Sequence, residues 1–104
     1  MFGRGRFDDL TRRQLDLFEA DEAMLLAEAR EADAGWTNAS AEDSEELYGD
    51  YQLVVDATGE RLHDIRETYA SSLDERAAAD YREAFRRAAA KRFGRYAAFL
   101  EDEN

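Results

Sequence analysis

Proline is absent from all 104 positions of this chain. A fold rich in turns and strand edges uses proline freely. A chain that is mostly helix has to avoid it, because the ring removes an N–H from the backbone ladder and clashes with the preceding turn. The residues that dominate instead, Ala, Glu, Arg and Leu, are all good helix formers.

Apolar residues repeat with a helical period over three segments. The first is expected over about 8–34, with Thr11 and Gln14 fitting a capping box. Its stripe is Leu15, Phe18, Leu25, Ala29, Ala32 and Trp36, with Glu22 in the slot where an apolar residue is missing. Gly35 to Asp43 has loop composition, and Ser40 or Asp43 can cap the helix after it. The second segment is expected over 44–71, on Tyr48, Tyr51, Val55, Thr58, Leu62, Ile65 and Tyr69, with Leu47 and Val54 beside them. Its weak point is Asp56-Ala57-Thr58-Gly59, where a β-branched residue and a glycine together cost about 1 kcal/mol or somewhat more. The helix is expected to continue through Thr58-Gly59, straight or bent; the alternative is a break there into two shorter helices. Ser72-Leu73-Asp74-Glu75 fits a second capping box, and the third segment is expected over 73–100. Ala78, Tyr81, Phe85, Ala88, Arg92, Tyr96 and Phe99 form its stripe, widened by Phe93 and Leu100, and the tail Glu101–Asn104 is expected to fray.

Helices of about 25–30 residues, each roughly 40 Å long, joined by short connections, imply an all-α fold. The expected architecture is an antiparallel up-down-up three-helix bundle, one domain over 1–104.

The net charge is −11, and residues 36–72 are the most one-sided, with nine acids against two bases. Such a chain repels nucleic-acid backbones and anionic membranes, so neither is expected as a partner. The absence of cysteine excludes disulfides, thiolate metal sites and a cysteine nucleophile. The longest apolar runs, such as Ala23-Met24-Leu25-Leu26-Ala27, are too short to span a bilayer. Arg4 and Arg6 precede no apolar segment, so no secretory leader is expected and a cytoplasmic location follows.

Few residue sets suggest chemistry. Glu60-x-x-His63 has the helical spacing that ferritin-like di-iron proteins use, and Glu28 or Glu31 could supply a facing carboxylate. On a helical wheel, however, Glu60 and His63 fall away from the Tyr51, Val55, Leu62 and Ile65 stripe, which argues for solvent. One histidine without cysteine offers little to a nucleophilic triad. No catalytic residue and no cofactor is nominated. Arg82, Arg86, Arg87, Lys91 and Arg95 make one side of the third helix basic, which suits the acidic flanks of the other two. The five tyrosines fall mostly on the stripes, as bundle interior with hydroxyls at the rim.

Two features remain. Glu22 and Arg92 occupy core-like slots within about one turn of each other in height, which suggests a buried polar pair that sets register. Leu10, Leu17 and Met24, spaced by seven, lie well round from the first stripe and widen the apolar face to about half the circumference, beyond the roughly 100° a surface helix needs. That excess suggests a contact surface between copies.

Four stretches carry a resemblance: Met1-Phe-Gly-Arg-Gly-Arg-Phe7, Arg12-Arg-Gln-Leu-Asp-Leu-Phe18, Tyr48-Gly-Asp-Tyr51 and Lys91-Arg-Phe-Gly-Arg-Tyr96. With these the chain resembles, over most of its length, a small helical family of high-GC actinobacterial hypothetical proteins with no assigned activity. The resemblance implies a bacterial cytoplasmic protein and carries over no functional residue. The functional expectation is a non-enzymatic helical protein-interaction module that self-associates as a homodimer. The alternatives are a metal-binding, ferritin-like protein built on Glu60 and His63, and an acidic regulator that covers a basic protein surface.

Overall fold

The structure, a computed structural model, describes residues 5–97. It contains four helices: α1 (Asp8–Asp21), α2 (Ala23–Thr37), α3 (Ser44–Ala70) and α4 (Glu75–Phe93), with a 3-10 turn at Gly94–Ala97. There is no strand among the described residues. The protein is therefore all-helical, but it is not the three-helix bundle expected from the stripes. The segment expected as one helix over 8–34 is two.

The break is one residue wide. Glu22 sits at φ −110°, ψ 31°, in a sparsely populated part of backbone space. Its N–H still reaches the Phe18 carbonyl at 2.8 Å, and its own carbonyl accepts from Leu26 N–H at 3.0 Å. Little backbone hydrogen bonding is given up. The chain turns because its two halves have different neighbours: α1 buries Thr11, Leu15 and Phe18 against α4, while α2 buries Leu26 and Ala29 against α3.

The remaining boundaries are set by local chemistry. α1 opens one turn before the Thr11–Gln14 box. Thr11 donates its hydroxyl back to the Asp8 carbonyl at 3.1 Å instead of capping. α3 runs unbroken through Thr58-Gly59, where the Thr58 hydroxyl donates to the Val54 carbonyl at 2.8 Å and both residues are buried. Burial on the inner face, with the hydroxyl satisfied, offsets the propensity cost of that stretch. The cap of α4 is Asp74, not Ser72: its carboxylate accepts from Ala77 N–H at 2.8 Å. Gly94, at φ +56°, ends α4 seven residues before Leu100, in a conformation that glycine adopts at least cost. Phe99, Leu100 and the tail 101–104 lie outside the described residues.

Contacts between side chains fix the topology. Trp36 stacks on Tyr51, and Glu22 lies 3.8 Å from Arg61, so α2 runs antiparallel along the first part of α3. Arg82 bonds Glu67 and Tyr69 packs on Tyr81, so α4 returns along the last part of α3. Gln14 meets Tyr81 and Phe18 meets Phe93, so α1 lies parallel to α4. The molecule is elongated, 50 × 25 × 24 Å. One end is three helices thick (α1, α4 and the later turns of α3) and holds Leu15, Phe18, Leu62, Tyr81 and Phe85 at or near zero exposure. At about 1.5–3 kcal/mol for each large apolar side chain removed from water, this end carries most of the core. The other end is the α2–α3 hairpin.

Candidate interaction surfaces

The polar groups of the thick end are used internally. Tyr81 has no exposed surface, is wrapped by Phe7, Tyr69 and Phe85, and donates its hydroxyl to Gln14 Oε1 at 2.7 Å. Burial pushes this phenol up to about 12. Glu67 receives two bonds from Arg82, at 2.9 and 3.0 Å, and one at 2.7 Å from Arg66, which is buried. The Arg82 fork first, then Arg66, holds the Glu67 carboxyl down at about 2 against the opposing effect of burial. These groups join α1 to α4 and α3 to α4. They are structural fastenings between helices.

The expected Glu22–Arg92 pair is not formed, because each takes another partner. Arg92 reaches across to Asp16 at 2.7 Å and Glu19 at 3.1 Å on α1. Glu22 faces Arg61 of α3 at 3.8 Å. The wheel that brings Glu22 and Arg92 together assumes one continuous first helix, and the turn at Glu22 swings its side chain from α4 towards α3.

The thin end is where apolar surface is left over. The hairpin buries Leu26, Ala29, Tyr51, Thr58 and Gly59. Leu25, Trp36, Leu47, Val54 and Val55 are only half-buried. Met24, Leu53 and Tyr48 are exposed, at 83%, 69% and 45%. Trp36, Tyr48 and Tyr51 form an aromatic cluster at the tip, with ring centroids 5.1 to 6.2 Å apart. Leu53 is the residue the stripe reasoning missed. It stands about half a turn round from Tyr51 and Val55, so an inventory of the inward face passes over it.

The three residues expected to share one surface are separated. Leu10 is half-buried and packs on the molecule's own core, because α1 begins early enough to bring its first turn against it. Met24 stands on the far side of the break. Leu17, 63% exposed, forms one wall of an open furrow between α1 and α3. These two helices make little direct contact although both pack on α4. Phe18, Ile65 and Tyr69 line the furrow, which comprises two hollows of 340 and 530 Å³ that share Gln14, Asp64 and Ile65 in their walls.

The residues expected to suggest chemistry are not brought together. Glu60 is exposed, and His63 Nδ1 lies 3.9 Å from its neighbour Asp64. Among the described residues no three metal-ligating side chains are grouped to hold an ion. On the basic side of α4, Arg82 is engaged by Glu67 and Arg86 by Glu83. No described helix is long and apolar enough to cross a membrane. Comparison with protein families, with characterised proteins and with solved structures finds no match to this chain.

Proposed function

We propose that the chain is a helical protein-interaction module that works as a homodimer, with the outer sides of the α2–α3 hairpin as the contact between copies. The observation that carries this reading is the imbalance within the hairpin. Two packed helices bury one side of each and leave the others to water. Here those other sides carry Met24, Leu53 and Tyr48, with Trp36, Val54 and Val55 partly uncovered. Two such hairpins laid together make a four-helix arrangement with a core between them. A stable dimer needs about 800 Å² from each copy, a small part of the 7111 Å² this chain exposes. Met24 is retained from the expected interface, while Leu10 belongs to the core.

Charge sets the conditions. Two copies at −11 repel, and the hairpin is the most acidic part of the chain, so salt should strengthen the dimer by screening. An acidic module that only covers basic surfaces would show no such gain. Light scattering after gel filtration is expected to give twice the 11.9 kDa chain mass, more completely at about 0.5 M than at about 0.05 M salt. Met24→Glu with Leu53→Glu is expected to give a folded monomer. A wild-type monomer at high concentration in both salts would overturn the reading.

A further inference from the structure

The furrow between α1 and α3 is a different surface from the hairpin, and its chemistry is more specific. Its floor is apolar: Phe18 is buried beneath it, Ile65 and Tyr69 are half-buried along it, and Leu17 stands largely exposed on its wall. Acids stand on both sides, Asp21 and Glu22 from the α1 side and Asp64 from α3. Among the described residues that line it, Arg61 is the one cation, and it is already turned to Glu22 at 3.8 Å. From Arg61 to Ala70 the furrow follows α3 for about 14 Å, or two and a half helical turns at 1.5 Å per residue, and it ends at Ser72 in the turn beyond.

We infer that this furrow is a docking site for a basic amphipathic helix of another protein. An apolar trough of helical length takes the apolar face of a helix in the way helix-in-groove partners dock, through anchors at i, i+3, i+4 and i+7. The acids on both walls then meet Lys or Arg on the flanks of the docked helix, which favours basic partners and rejects acidic ones. A second copy of this chain is a poor occupant. Its net charge is −11, and its one basic helix, α4, already buries its apolar face, Tyr81, Phe85 and Ala89, in its own core. The furrow stands apart from the hairpin contact, since Leu17 and Ile65 belong to the one and Met24 and Leu53 to the other.

The test uses the full chain and a fluorescent synthetic helix of about 18 residues, with Leu at i, i+3, i+4 and i+7 and Lys elsewhere. Anisotropy at physiological salt is expected to show saturable binding. The same peptide with Glu for every Lys is expected to bind at least about tenfold more weakly. Leu17→Ala, at an exposed position that the core does not need, is expected to weaken the Lys peptide about fivefold or more, and Asp21→Asn with Asp64→Asn about tenfold. Glu45→Gln with Glu46→Gln, an equal charge loss at the far end of α3, is expected to leave binding within about twofold. Equal losses from both charge pairs would mean general attraction to an acidic protein and would overturn the inference. So would tight binding of the Glu peptide, or an unchanged affinity in Leu17→Ala. A Leu17→Ala chain whose molar mass halves would place a second copy in the furrow, and that too would overturn it.

Discussion

Glu67 sits in an environment far from that of an isolated side chain. Its carboxylate is fastened between Arg82 of α4 and the buried Arg66 of its own helix, so its proton affinity falls to about 2 from 4.5. A depressed carboxyl contributes stability above its unfolded value, and that contribution is lost as pH falls through the folded one. The window is therefore about pH 4.5 down to about 2. Glu67→Gln is expected to flatten the pH dependence of the melting temperature in that window and to lower stability at pH 7. Because Glu67 and Arg82 are both partly exposed, the loss of their fork should be nearer 1 kcal/mol than the several that a dry pair would give. Thermal melts of the two proteins from pH 7 to pH 2 decide it. Parallel curves would mean that the pair contributes nothing. That Arg82 faces an acidic flank was legible in the sequence, but not that Glu67 is its partner: the two stand fifteen residues apart on different helices, and neither lies on an apolar stripe.

At the scale of the element, the telling case is Glu22. A charged residue in an apolar slot is visible in the sequence as an anomaly, and a distant cation such as Arg92 is one way to resolve it. The structure shows the other resolution, in which the helix itself gives way. Periodicity reports which residues want to be buried. It does not report that two stretches of one stripe will be buried against different helices, and that choice forces the turn between α1 and α2. The opposite happened at Thr58-Gly59, a locally weak point where α3 continues because its inner face is packed on both sides of it. Gly49 offers a direct measurement of what sits outside α3. It lies inside that helix with nothing within 4 Å of where a Cβ would stand. Gly49→Ala is therefore expected to raise stability by about 0.5–1 kcal/mol through helix propensity alone. A loss in denaturant titration would show that something packs closely on that face in solution, one turn from Leu53.

For the whole molecule, stability is unevenly distributed along the 50 Å axis. The thick end holds the large, fully buried side chains, and the hairpin has half-covered ones. Local opening follows buried apolar contact. Amide exchange by mass spectrometry is therefore expected to be faster in α2 and the early turns of α3 than in α4 and the late turns of α3. The contrast should be sharpest in the Met24→Glu, Leu53→Glu monomer and reduced in the dimer. Uniform protection in that monomer would mean the hairpin is held by the rest of its own chain, and the case for a second copy would lose its basis.

The all-helical class, a loop before α3 (expected from Gly35, though α2 runs on to Thr37), the start of α3, the acidic surface and the large core side chains Leu15, Phe18, Leu62, Tyr81 and Phe85 were determined by the sequence alone, because each is a local or periodic property of neighbouring residues. The number of helices, the fate of Glu22 and Arg92, the burial of Leu10, the exposure of Leu53 and the furrow beside Leu17 were decided by the tertiary structure. Each depends on which helix lies against which. That is settled by how unequal lengths of apolar surface can be covered together, after Gly94 has stopped α4 short and left α2 and the first turns of α3 to pack as a pair.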